Sequence, residues 1–187
     1  MKKHVYRYLV LILVTGAIIA LDQWTKALVR ANLAIGEIWM PWEWLAPHAR
    51  IVHWFNTGVA FGLFQGMGGI FTVLAILVSL AIIYYYPRIP DEDWLLRLAM
   101  NLQLAGAMGN LIDRLTNNGN VTDFISVGTF PVFNVADMSI TTGVGVLLLG
   151  IWLQERRQKQ LAEKQNQEVT NDSQDSGEKP PLDQLPS

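Results

Sequence analysis

Cysteine is absent from all 187 residues. That removes a thiolate nucleophile, thiolate metal ligation and disulfide cross-links from consideration. Histidine is scarce: His4, His48 and His53 are the only three, and none sits in an H-E-x-x-H pair, so a zincin-type metal site has no support. His48 and His53 read as ordinary loop residues. Charge is also thin, at 16% of residues against 51% hydrophobic, and the net charge of -2 makes no case for a nucleic-acid partner. A mean hydropathy of +0.24 is high for a soluble domain and points to a membrane protein.

Four apolar stretches follow, and they predict spans over about 8–27, 68–86, 94–113 and 135–154. A crossing helix needs about 20 mostly apolar residues, which the second and fourth stretches supply. The third is the weakest by hydropathy, interrupted by Arg97, Asn101, Gln103 and Asn110; the long Arg97 side chain reaches an interface while the amides face other helices. The first imitates a secretory leader, with Lys2, Lys3 and Arg7 ahead of an apolar core. No A-x-A site follows, and the stretch runs on into Asp22-Gln-Trp-Thr-Lys26, so a retained anchor is expected. Basic residues gather before span one, around the loop between spans two and three (Arg88, Arg97), and after span four (Arg156, Arg157, Lys159). That pattern places both termini in the cytoplasm. From Arg156 the composition turns to Gln, Glu, Lys, Asn, Ser and Pro. The expected organisation is therefore a membrane domain over 1–155 and a polar tail over 156–187, helical for a short way and then disordered.

This topology gathers the polar residues at one face. Span one ends at Asp22 and Lys26, and span three ends at Asn110, Asp113 and Arg114. Span two begins just after Asn56-Thr-Gly-Val-Ala-Phe61, and span four begins near Asp137. The long first outer loop carries Trp39, Trp42, Trp44 and Trp54, a density that suits the membrane interface, and its run Arg50–Phe55 suits a small sheet. Asp22 and Lys26, four apart, share a helical face and can pair, either as a structural clamp or as part of a site. Gly106 and Gly109 let a neighbouring helix or a peptide backbone come close.

Asp123 and Asp137 carry the chemistry. An ionised Asp in a lipid-like setting costs roughly 2.5 to 3.5 kcal/mol on the lenient insertion scale, so two such residues beside spans read as functional. The bland alternative is a salt bridge to Arg114 or Lys26. Four outer-face carboxylates (22, 113, 123, 137) meet few cations, however, which leaves two underpaired. Such a pair titrates together, one member kept protonated by the charge on the other. The ionised member can take a proton from water while the neutral one polarises a peptide carbonyl. A serine mechanism lacks its parts: there is no G-x-S-x-G elbow, and Ser126 and Ser139 have no histidine base in the outer part of the spans.

The blocks Asp22-Gln-Trp-Thr-Lys26, Asn56-Thr-Gly-Val-Ala-Phe61, Gly106-Ala-Met-Gly-Asn-Leu-Ile-Asp-Arg114, Val121-Thr-Asp-Phe-Ile125 and Phe133-Asn-Val-Ala-Asp137 together resemble the lipoprotein signal peptidases, the type II signal peptidases of bacteria. The resemblance covers residues 5–155. It implies an all-α integral membrane fold of four transmembrane helices, with a small extracytoplasmic β-cradle and an interfacial helix. It also implies an aspartyl endopeptidase of the cytoplasmic (inner) membrane that needs no metal or cofactor. Such an enzyme cuts prolipoprotein signal peptides before a diacylglyceryl-modified cysteine at the outer leaflet, and globomycin-like cyclic peptides inhibit it. By motif, Asp123 and Asp137 become the catalytic pair, and Asn110 and Arg114 hold the substrate backbone. Asn56, Asp22, Lys26, Asp113, Asn134 and Gly106 shape or support the site. One departure is the compact linker of 13 residues between the two aspartates, where some relatives carry a longer insert. The rival from another class is a small proton-coupled transporter that uses the carboxylates as a relay. It is disfavoured by the absence of inverted repeats and by polar groups that gather at one interface rather than the midplane.

Overall fold

The computed structural model describes residues 2–58 and 66–175. The order along the chain is α1 (Lys2–Asn32), β1 (Ile38–Trp39), β2 (Ala49–Asn56), α2 (Gly68–Tyr85), α3 (Trp94–Thr116), β3 (Val121–Val127) and α4 (Val135–Asp175). Among the described residues, three stretches are long and apolar enough to cross a membrane, Val5–Asn32, Gly68–Arg88 and Val135–Gln167. On α2 the side chains of Ile70, Val73, Leu77 and Leu80 stay more than half exposed, as a lipid-facing surface would.

Helix α3, with Arg97, Asn101, Gln103, Asn110, Asp113 and Arg114, is more polar than the apolar runs of these three. It is instead the best enclosed, with Ala99, Asn101, Leu104, Ala105, Gly106, Gly109, Asn110, Leu111 and Asp113 all buried. It packs against α1 and α2, and Ser139 Oγ on α4 donates to Leu102 O at 2.7 Å. A helix surrounded by protein need not be apolar, because its polar groups find partners in its neighbours. Gly106 and Gly109 permit the α3–α4 approach: a Cβ on Gly106 would strike Ala136 O and Ile140, and one on Gly109 would lie 2.7 Å from Asp22 Oδ2.

Leu11, Ile82, Tyr86, Ile89 and Leu104 form an apolar cluster among α1, α2 and α3. Near the starts of α1 and α3, Asp91 accepts from Arg7 at 2.9 Å and from Arg97 at 2.6 Å. These hydrogen bonds hold the Asp91 carboxyl below the usual carboxylate range and tie the α2–α3 loop across both helices.

The strands form one antiparallel sheet in the order β1-β2-β3, with Trp54 opposite Asp123 and Asn56 opposite Val121. The expected run Arg50–Phe55 thus lies within β2. His53 is a buried strand residue rather than a loop residue, its Nδ1 2.9 Å from Leu33 O. Of the expected interfacial helix, the described residues of the first outer loop show only a three-residue 3-10 turn, Glu43–Leu45. Val59 to Phe61 of the Asn56 block lie outside the described residues.

The chain divides into two compact units, Met1–Leu147 and Leu148–Ser187. In the second, the helix runs on to Asp175, well past the short extension expected. Gln, Glu, Lys, Ala and Leu are good helix formers even where they bury nothing, so a polar composition excludes a core but not a helix. The disorder expected of the tail does not extend to residues 156–175, and residues 176–187 lie outside the described part.

Candidate active site

The linker after β3 doubles back. Gly128 turns the chain with φ +52°, Phe133 N donates to Ile125 O at 3.0 Å, and Ile125 N and Phe124 N both donate to Phe133 O. The start of α4 is thereby laid beside β3. Asn134 caps α4: its Oδ1 accepts from Asp137 N at 2.9 Å, while Asp137 Oδ2 accepts from Asn134 N at 3.2 Å. This reciprocal pair is a capping box with Asn at the cap and Asp at the third position. The same Asn134 donates through Nδ2 to Asp123 Oδ1 at 2.6 Å. One fully buried amide residue therefore touches both aspartates.

The remaining donors converge on the same two groups. Asn56 Nδ2 on β2 donates to Asp123 Oδ2 at 3.0 Å, and Asn110 Nδ2 on α3 donates to Asp137 Oδ1 at 2.8 Å. Among the described residues neither Asp123 nor Asp137 forms an ion pair; the expected alternative of a bridge to Arg114 or Lys26 does not occur. Asp123 lies on β3, outside the helices. Burial first, and then the charge of Asp137, push its carboxyl up to about 7, against the hydrogen bonds of Asn56 and Asn134 and the charge of Lys26. A carboxyl in that condition is neutral at mildly acidic pH and can donate a proton.

Behind the pair lies a clamp of fixed charges. Lys26 Nζ meets Asp22 Oδ2 at 2.9 Å and Asp113 Oδ2 at 3.3 Å, all three side chains being 0% exposed. Its third contact is to Asn110 Oδ1 at 3.0 Å, which turns the NH2 end of that amide toward Asp137. Asp22 Oδ1 accepts from Ala136 N at 2.8 Å, so a carboxylate of α1 holds a free N–H at the start of α4. Asp113 Oδ2 accepts from Thr122 N at 2.9 Å and fixes β3 beside Asp123. The Asp22–Lys26 pair thus has the geometry of a clamp: Asp22 holds the start of α4, and Asp113, paired with the same Lys26, holds β3. Two contributors were not singled out from the sequence. Gln23 Nε2 reaches Asp22, Gly109 O and Asp113 at 3.0 to 3.3 Å, and Thr122 Oγ1 accepts from Arg30 at 3.0 Å. Gln23 sits inside the Asp22 block and Thr122 inside the Asp123 block, which was the available signal.

Asn56, Asn110, Arg114, Asp123 and Asp137 all line one cavity of about 760 Å³ whose other walls are mainly apolar, a size and character typical of ligand sites. Arg114 rests 5.8 Å from the Phe71 ring centre, and its Nε is buried without a hydrogen-bond partner. Gly106 is turned into the α3–α4 contact and does not line this cavity. Ser126 and Ser139 are engaged elsewhere, with Arg50 Nε and with Leu102 O.

The family model described as signal peptidase (SPase) II matches residues 14–153. The chain belongs to the signal peptidase II family. Its relatives include the lipoprotein signal peptidase of Shouchella clausii, 42% identical over 146 residues that cover 76% of this chain and 92% of that one. That of Halalkalibacterium halodurans is 37% identical over 154 residues, covering 79% and 94%. Two solved structures, both described as a bacterial membrane enzyme, superpose with TM-scores of 0.71 and 0.67 at 29% identity. The first match covers 78% of this chain and 89% of the other, the second 76% and 92%. A family of proteases, neighbours that are membrane enzymes and three span-capable helices together make this signal peptidase II relative a multi-pass membrane protein.

Proposed function

We propose that this protein removes signal peptides from diacylglyceryl-modified prolipoproteins, as an aspartic endopeptidase of the bacterial cytoplasmic membrane. The observation that carries the reading is the pair of unbridged carboxylates joined through Asn134 at the wall of one cavity. Asp137 acts as base and takes a proton from water. Asp123 gives its proton to the carbonyl oxygen of the scissile amide, so water oxygen and carbonyl carbon join in a tetrahedral diol. Asp137 then returns its proton to the leaving nitrogen as the C–N bond breaks, and Asp123 takes back a proton from one diol hydroxyl as the new carboxylic acid forms. Arg114 and Asn110 hold the peptide backbone over the pair.

The membrane domain takes in α3 as a fourth span. At ~1.5 Å per residue, its 23 residues match the ~30 Å hydrocarbon thickness. Both termini are cytoplasmic, and the aspartates lie at the outer leaflet. There the diacylglyceryl anchor brings the cleavage site to their depth and replaces a bimolecular encounter with a positioned one. A globomycin-like cyclic peptide competes for the same cavity.

Purified protein is expected to cut a synthetic diacylglyceryl lipopeptide before the modified cysteine, and to keep its rate in a strong chelator. Mass spectrometry of the products reads both. Equal cleavage of the unlipidated peptide, or a loss on chelation that zinc restores, would overturn the assignment.

The pH profile has a defined sign. Asp123 must be neutral to act as acid, and its carboxyl is pushed up to about 7. Thus kcat/KM is expected to fall as pH rises through that value. Asn56 donates to Asp123 and favours its charged form, so Asn56→Leu should move the falling limb to higher pH. A limb that stays in place, or moves down, would contradict the role of Asp123 as acid.

A further inference from the structure

The cavity extends below the aspartates by the same distance on three helices. Phe71 to Val78 on α2, Gln103 to Asn110 on α3 and Asp137 to Val144 on α4 all line it. Each pair is seven residues apart, about 10 Å at ~1.5 Å per residue. A groove thus runs from the catalytic level toward the bilayer interior, walled there by Leu74, Ala75, Val78 and Val144. Among these apolar walls stand two polar residues, Gln103 and, one helical turn below Asp137, Thr141. The side chain of Gln103 makes no hydrogen bond among the described residues. Its stem lies against Gly143, where an added Cβ would come within 3.0 Å of Gln103 Cγ; the glycine leaves room for that side chain between α3 and α4.

A glutamine in the wall of a lipid-depth groove, its side chain without a partner, calls for a polar ligand, since an unmet hydrogen-bonding group there costs several kcal/mol. Resting on the peptidase reading, we propose that Gln103, assisted by Thr141, receives the peptide groups of the signal sequence just upstream of the scissile bond. The reason is geometric. A signal helix keeps its N–H and C=O groups paired internally, and an aspartyl pair can reach a carbonyl only where the helix is unwound. Unwinding releases peptide groups that lipid cannot satisfy. About three extended residues, at ~3.3 Å each, cover the 10 Å from the aspartates to Gln103. The glutamine amide offers a donor and an acceptor together, which complements a peptide group. The ester carbonyls of the lipid anchor offer acceptors only.

The test uses the full-length protein and the synthetic diacylglyceryl lipopeptide. Gln103→Leu is expected to lower kcat/KM about tenfold, nearly all of it in KM, because the contact is made equally before and during the reaction. Gln103→Met serves the same purpose if the leucine variant unfolds. Replacing one upstream peptide bond by an ester, two to four residues before the cut, should weaken binding to the native protein and have no further effect on the variant. An unchanged KM in the variant would overturn the proposal. So would a penalty that disappears when ether-linked chains replace the diacyl esters, which would assign the amide to the lipid. Neither result touches the aspartyl reading, which fails separately if the native protein leaves the lipopeptide intact or if Asp123→Asn still cuts it.

Discussion

Asp123→Asn and Asp137→Asn are each expected to slow single-turnover cleavage of a lipopeptide by about 10⁴, the upper end of the range for a positioned acid or base. Asparagine preserves the shape but can neither release nor accept the proton. Each substitution also turns an NH2 toward a donor, from Asn56 or Asn134 at position 123 and from Asn110 or the Asn134 N–H at position 137. One hydrogen bond is lost in either case, a cost of about 1 kcal/mol, while the clamp of Asp22, Lys26 and Asp113 stays intact. The variants should therefore fold and bind substrate. Because the pair works as a unit, the double variant should be no slower than the worse single one. Cleavage within tenfold of native by either purified single variant would remove both residues from the chemistry.

The second large effect concerns stability. Lys26→Met leaves the carboxylates of Asp22 and Asp113, both 0% exposed, without the ammonium that lies 2.9 and 3.3 Å away. Removing one partner of a fully buried ion network costs about 3–5 kcal/mol. Asp113 keeps its hydrogen bonds from Thr122 N and Gln23, but among the described residues its remaining cation is Arg30 at 3.5 Å, too long to compensate for the lost ammonium. Denaturant unfolding in detergent should show the loss. The combination Lys26→Met with Asp113→Asn, which removes one of the stranded charges, should recover part of it. A methionine variant as stable as the native protein would mean that the triad does not hold α1, α3 and α4 together.

The aspartates were legible in the sequence because a carboxylate beside an apolar span is costly and demands an explanation. Asp22 and Lys26 were legible through their four-residue spacing. Asn134 became visible only through the family motif, although Asn134-Val-Ala-Asp137 ahead of an apolar run is itself a capping-box pattern. Other links lie beyond local rules. Nothing in the spacing says that Asp22 will cap a helix that begins 113 residues later, or that Gln23 will bridge α1 to Gly109. These are tertiary contacts between residues that look ordinary where they stand. Hydropathy ranked α3 as the weakest span because it weighs each residue against lipid, whereas this helix is enclosed by protein. The helix past Arg156 was underestimated for the opposite reason: its composition rules out burial, and burial is not what a helix of good formers requires.

The central claim is that Asp123 and Asp137 meet as one titrating pair. Carbon-13 spectra of carboxyl-labelled aspartate in the native protein, assigned through Asp123→Asn, measure it most directly. The account predicts an Asp123 signal that titrates near 7 and moves to lower pH in Asp137→Asn, where the neighbouring charge is gone. A signal that titrates near the ordinary 3.8 and ignores the substitution at 137 would contradict it.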